Sequence, residues 1–73
     1  MSSARPFDLL NKAIGKEVLV ILSNGMNIRG TLQAFDVHMN VVLENAEELL
    51  DNKPKAKHGN MIVRGGMIVY IST

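Results

Sequence analysis

Met26-Asn-Ile-Arg-Gly-Thr-Leu-Gln-Ala34 alternates without a break. Met26, Ile28, Leu32 and Ala34 fall on one face, with Asn27, Arg29, Thr31 and Gln33 on the other. That period of two is the pattern of a strand with one buried face. Gly30 takes its place on the apolar face, where a side chain would otherwise pack. A glycine inside a strand marks a sharp bend or bulge, and a small barrel needs a strongly bent strand in order to close.

On the N-terminal side, Val18-Leu-Val-Ile-Leu22 is β-rich and apolar at both parities, which predicts a strand covered on both faces. Asn24-Gly25 follows it and predicts a two-residue hairpin. Before the strand, Phe7, Leu10 and Ile14 recur at helical spacing, and Leu9 and Ala13 widen the stripe. Pro6 suits a first helical position and Gly15 a position just past the end, so a short helix is expected over residues 7–14. Residues 1–6 read as a polar lead-in.

On the C-terminal side, a third strand is expected over residues 39–47 and a charged loop over residues 50–59. Met61-Ile-Val63 is a short strand, Arg64-Gly-Gly66 a tight turn, and Met67-Ile-Val-Tyr-Ile71 a final strand. The expected fold is mostly β. A short N-terminal helix precedes a strongly bent, five-stranded antiparallel small barrel of SH3-like or OB-like kind, in one domain spanning residues 1–73. The last two strands are short and apolar, and as edges they would leave backbone groups unpaired. Pairing those edges head to tail between copies would satisfy them.

The chain has 73 residues, enough for one domain. A domain of that size buries only about 60% of its unfolded surface and usually needs extra support. There is no cysteine, so disulfides and thiolate metal sites are excluded. The two histidines, His38 and His58, lie far apart without partners around them, which argues against a structural metal. Subunit contacts remain as the support. No apolar run approaches the ~20 residues of a membrane span, and the N-terminus lacks the apolar core of a signal peptide. The expectation is a soluble, cytoplasmic protein without membrane contact. With 8 basic and 7 acidic residues the net charge is +1, too little to grip a phosphate backbone by overall charge. Any such contact must come from a local site or from repeated copies of one.

Catalysis has little to draw on. Asp36 and His38 could form an acid–base pair, but the serines sit at the termini or beside the first hairpin, and no nucleophile or phosphate-loop motif occurs. Glu44, Glu47 and Glu48 read as the solvated end of a strand. No enzyme, cofactor or metal is expected.

Phe35-Asp-Val-His-Met-Asn-Val-Val42 is more informative. Asp36, His38 and Asn40 alternate with Val37, Met39 and Val41, so three polar groups converge on one side while apolar ones anchor the other. One reading is turn chemistry, because Asp and Asn readily bond their own backbone. The other is a site for an unstacked base. The Asn40 amide offers a donor beside an acceptor, which matches the edge of uracil, and the His38 imidazole can stack, as in recognition of single-stranded RNA. Arg64 could supply a second stacking surface, or be a solvated turn arginine. Gly65 and Gly66 could serve the turn alone, or let backbone N–H groups approach a ligand. Lys53, Lys55 and Lys57 read as a solvated loop or as a phosphate patch.

Taken together, Ile28-Arg-Gly-Thr-Leu32, Phe35-Asp-Val-His-Met-Asn-Val-Val-Leu43 and Ile62-Val-Arg-Gly-Gly66 resemble the Sm-like proteins, in particular the archaeal ones. The resemblance covers residues 7–71, with a first motif over 15–45 and a second over 61–71. It implies a ring, usually of seven identical subunits, joined by pairing the fourth strand of one subunit with the fifth of the next. It also implies binding of U-rich single-stranded RNA at the inner rim, as a scaffold or chaperone in RNA processing, with other RNA-processing proteins as further partners. Carried over by position, His38 and Arg64 would sandwich the base, Asn40 would read its edge, Asp36 would support the site, and Gly65 would let the turn approach. Gly66 departs from the family, where Asp or Asn is common, and this bears on uridine selectivity. The Lys-His second motif of the hexameric bacterial relatives is missing. The alternative is a structural ring that recruits proteins without sequence-selective RNA binding.

Overall fold

In the computed structural model, which describes residues 5–73, Arg5 is extended and Pro6 opens helix α1 (Pro6–Ala13). Most of the expected polar lead-in lies outside the described residues. Asp8 in the first turn and Lys12 in the last complement the helix dipole. Eight residues do not hold a helix alone, and α1 is kept by burying Leu10 and Ala13 in the core. Phe7 packs on Phe35 with ring centroids 5.6 Å apart. The apolar stripe is only half used within the chain, since Phe7, Leu9 and Ile14 remain exposed.

Strand β1 (Glu17–Leu22) pairs antiparallel with β2 (Asn27–Phe35), and β2 with β3 (Val41–Leu50). The hairpin between β1 and β2 is not the expected two-residue turn. The Leu22 N–H donates to the Met26 carbonyl and the Gly25 N–H to the Leu22 carbonyl, enclosing Ser23, Asn24 and Gly25. Only Gly25 has a positive φ, +87°, and a two-residue type I′ turn would require Asn24 to have one too. Burial along β1 also differs from expectation. Val18, Val20 and Leu22 are buried, while Leu19 and Ile21 on the other face are half-buried.

The bend lies where the glycine marks it. Arg29 pairs with Glu47 and Thr31 with Glu44, so Gly30 faces two residues of β3, Asn45 and Ala46. A Cβ on Gly30 would come within 3.2 Å of the Ala46 Cα and of the Glu44 carbonyl oxygen. Asn45 adopts φ +54°, a left-handed conformation that asparagine tolerates better than most residues. An extra residue on one strand bends it and strengthens its twist. The bent sheet closes over Val20, Leu32, Val41 and Leu43, its largest fully buried side chains. Each contributes roughly 1.5–3 kcal/mol by leaving water. No polar residue is buried among those described.

The expected charged loop over residues 50–59 is a correction. β4 (Lys53–Lys57) pairs with the end of β3, after a turn in which Asp51 and Asn52 both have positive φ. β5 (Met61–Val63) then pairs with the start of β3. Between them, the His58 N–H donates to the Ala46 carbonyl and the Ala46 N–H to the Gly59 carbonyl. β4 and β5 are therefore two halves of one bent strand lying along bent β3, which reconciles six strand segments with five expected strands. A short 3-10 turn (Gly65–Met67) leads into β6 (Ile68–Ser72), which pairs with β1. The strand order is β4-β3-β2-β1-β6, with β5 beside β3. The barrel stays open between β6 and the β4–β5 side. Among the described residues no helix is long and apolar enough to cross a membrane.

Candidate nucleic-acid interface

The loop between β2 and β3 closes tightly. The Asp36 N–H donates to the Asn40 carbonyl and the Met39 N–H to the Asp36 carbonyl. Asp36 Oδ1 accepts from the backbone N–H groups of His38 (2.9 Å) and Asn40 (3.0 Å), and Oδ2 accepts from Asn40 Nδ2 at 3.1 Å. Asp36 thus does perform turn chemistry. The Asn40 side-chain amide first, and then the N–H groups of Asn40 and His38 and the charge of His38, hold its carboxyl below the ordinary carboxylate range against an opposing desolvation.

Met39 sits at the turn with φ +64° and packs half-buried against the core. The strand expected from residue 39 therefore begins only at Val41. Val41 is buried, as an anchor should be. Val37 is not an anchor: it is 75% exposed, because the loop turns before an alternating pattern can run through it.

Asn40 links the two expected motifs. Its Oδ1 accepts the Gly65 N–H at 2.8 Å while its Nδ2 serves Asp36. The orientation of the amide follows from its neighbours, since an ionised Asp36 can only accept and a backbone N–H can only donate. One N–H and one lone pair of the amide remain for a ligand. Gly65 packs directly on the first loop. A Cβ there would overlap the His38 carbonyl oxygen and lie 2.8 Å from the Met39 carbonyl carbon. Gly66, one residue on, has open space where a Cβ would stand.

Arg64 is exposed, immediately before the 3-10 turn, with no ion pair among the described residues. Together with Asp36 and Asn40 it lines a cleft of about 420 Å³, walled by Ala34, Phe35, Val42 and Ile62. Asp36, Asn40 and Arg64 are thus brought together, with Gly65 behind them. His38 belongs to the same loop through its backbone and does not line this cleft. Ile62 was not expected at the site. Its signal is an exposed branched residue between two packed ones on an edge strand.

The chain matches the model of the LSM domain over residues 8–73. An snRNP Sm-like protein of Methanococcoides burtonii is 47% identical over 68 residues, covering 93% of this chain and 94% of the relative. The Sm protein of Pyrococcus abyssii, solved in complex with a uridine heptamer, superposes with a TM-score of 0.92 at 39% identity, covering 94% of this chain and 97% of that one. A heptameric Sm protein of P. aerophilum superposes with a TM-score of 0.88 at 44% identity, covering 97% and 95%. These matches span the bent barrel together with both loops of the cleft, and on that extent the chain belongs to the LSM domain family, among relatives that are archaeal.

Proposed function

We propose that the chain forms a homo-oligomeric ring, a heptamer by likeness to its relatives, and binds U-rich single-stranded RNA at its inner rim. The observation that carries this reading is the Asp36–Asn40–Gly65 chain of hydrogen bonds beside Arg64, in a fold that superposes on an Sm protein in complex with a uridine heptamer. Asn40 reads the base edge with its remaining donor and acceptor. Arg64 stacks on one face of the base, and His38 closes over the other from the rim of the loop, outside the cleft that Arg64 lines. Asp36 holds Asn40 in place, Gly65 lets the second loop approach the first and gives its N–H to Asn40, and Gly66 presents a backbone N–H to the ligand. The protein acts as a scaffold or chaperone in cytoplasmic RNA processing and turns nothing over.

The open edges support the ring. Among the described residues β6 pairs only with β1, and β5 only with β3. Beside β6, an apolar groove of about 370 Å³ is lined by Leu9, Leu10, Val69, Tyr70 and Ile71. Ile62, 74% exposed on β5, is the matching knob. A ring concentrates Arg64 and His38 around one pore, so a chain of net charge +1 still presents local positive potential. Successive uridines on successive subunits gain affinity through effective concentration.

The test is a fluorescence anisotropy titration with a short oligo-U and an oligo-C of equal length, with the assembly sized by light scattering. The two strands carry the same phosphate charge. Preference for U by a ring-sized particle supports base reading. Equal binding reduces the pore to a basic channel, and no binding by an intact ring favours a protein-recruiting module.

A further inference from the structure

Asn24 alone among the asparagines precedes a glycine. That order favours a spontaneous reaction within the chain, because glycine has no side chain to hinder attack by its own nitrogen. The Gly25 nitrogen bonds to the Asn24 side-chain carbonyl carbon, its proton passes to the departing amide nitrogen, and ammonia leaves a cyclic succinimide. Water then opens the ring. Opening at the former side-chain carbonyl gives aspartate, and opening at the main-chain carbonyl gives isoaspartate, with the backbone routed through the side chain. Either way a neutral amide becomes a carboxylate.

Asn24 and Gly25 are both exposed, and the space beside the Gly25 Cα is open, so water reaches the pair. The fold nevertheless occupies both reacting groups. The Gly25 N–H donates to the Leu22 carbonyl at 3.0 Å, which ties up the nucleophile. Asn24 Oδ1 accepts from the Met26 N–H at 3.0 Å, which holds the side-chain amide in a turn of its own. Ring closure needs the Gly25 nitrogen freed and the Asn24 side chain swung onto it, so the reaction waits for the turn to open. The same turn is tied to the loop that carries Arg64. The Ser23 N–H donates to the Met67 carbonyl at 2.8 Å, and the Met67 N–H donates to the Arg64 carbonyl at 3.0 Å.

We propose that Asn24–Gly25 is a latent deamidation site guarded by the folded β1–β2 turn, and that its isoaspartate product releases the turn from the Arg64 loop. Isoaspartate lengthens the main chain inside a turn closed by the Leu22–Met26 and Gly25–Leu22 bonds, and spoils their geometry. Aspartate keeps an acceptor oxygen where Asn24 Oδ1 stands, and so keeps the bond to the Met26 N–H.

The experiment incubates the folded protein and the same chain unfolded in guanidinium side by side at mildly alkaline pH. Peptide mapping by mass spectrometry follows each asparagine and scores isoaspartate apart from aspartate. In guanidinium Asn24 should lose its amide ahead of every other asparagine. In the folded protein that loss should be at least roughly tenfold slower, since two hydrogen bonds must open together. Equal rates in the two states overturn the guard, and another asparagine leading in guanidinium overturns the site.

The tie to the Arg64 loop is read from hydrogen exchange at the Ser23 amide. Asn24→Asp should protect that amide as the parent does, whereas the isoaspartate form, isolated from aged protein, should exchange it roughly tenfold faster or more. Equal protection in the two forms overturns the release of the turn. Both readouts proceed without RNA, so their failure and that of the uridine reading are separate.

Discussion

The Asn40 amide oxygen accepts the Gly65 N–H at 2.8 Å, across 25 residues of sequence, while its nitrogen donates to Asp36. One side chain thereby ties the first loop to the second and keeps a donor and an acceptor for a base. Asn40→Ala removes both ties. A bidentate amide–base pair discriminates by about 1–3 kcal/mol, so the ratio of oligo-U to oligo-C affinity should fall by roughly 5- to 150-fold while the assembly stays ring-sized. Anisotropy with light scattering measures both, and an unchanged ratio would remove Asn40 from the site.

Gly65 and Gly66 are adjacent and should behave oppositely. A methyl on Gly65 meets the backbone of His38 and Met39, which cannot rotate away. Overpacking of this kind costs about 1–3 kcal/mol, so Gly65→Ala should lower the denaturation midpoint and weaken oligo-U binding together. Gly66→Ala meets open space, and its effect should stay within about 0.5 kcal/mol. Gly66→Asn, which restores a residue type common in the family, should leave stability alone and raise uridine selectivity. Equal destabilisation by Gly65→Ala and Gly66→Ala would contradict the close approach.

Asp36 sets the acid limit of the loop. Its carboxyl is held below the ordinary value of 3.8, chiefly by the Asn40 side chain. A lowered folded value means that the unfolded chain takes up this proton first as pH falls. The contribution is complete above 3.8 and is lost only as pH drops through the lower folded value. An NMR titration of the Asp36 carboxyl carbon should give a midpoint below 3.8, and Asn40→Ala should move it upward. A parent midpoint at or above 3.8 would break the hydrogen-bonded loop as described.

How much of the molecule is legible in its sequence depends on the residue. The bend at Gly30 can be read because a buried strand face with one side chain missing is the pattern that a bulge leaves. Its partner at Asn45 cannot, because nothing local distinguishes that asparagine from any polar residue on a strand. β4 is hidden by its own composition: Lys-Pro-Lys-Ala-Lys has the propensity of a loop, and it becomes a strand only because the end of β3 offers a ladder. At the candidate site the alternation of Asp36, His38 and Asn40 is visible as a pattern. That it closes into a turn is one of its two readings and is decided locally, by the bonds of Asp36 to His38 and Asn40; that Gly65 rather than Gly66 is sterically required follows from contacts far apart in sequence. Val37 misleads because alternation does not carry through a turn.

Arg64 tests the assignment of the second loop. It is exposed, unpaired among the described residues, and lines the cleft with Asp36 and Asn40. Arg64→Ala should weaken oligo-U binding and leave the oligomer assembled. Arg64→Lys should recover the salt dependence but not the full affinity, because an ammonium keeps the charge and loses the flat stacking surface. Dissociation of the ring in Arg64→Ala would place this residue in the subunit contact instead.

The two edges of the open barrel should differ in what they tolerate. β5 carries Ile62, 74% exposed, and β6 carries Val69, 61% exposed, beside the apolar groove against α1. Neither side chain serves the core of its own chain, so a charge at either position leaves the fold intact and harms what covers it and, at Ile62, the cleft that this residue walls. Ile62→Asp and Val69→Asp should each shift the assembly from ring to monomer in light scattering, with circular dichroism unchanged. Pro54 and the β4 lysines guard the rest of that edge, so Lys55→Asp should leave the ring at its parent size. A ring that survives Ile62→Asp but dissociates in Lys55→Asp would move the subunit contact from β5 to β4.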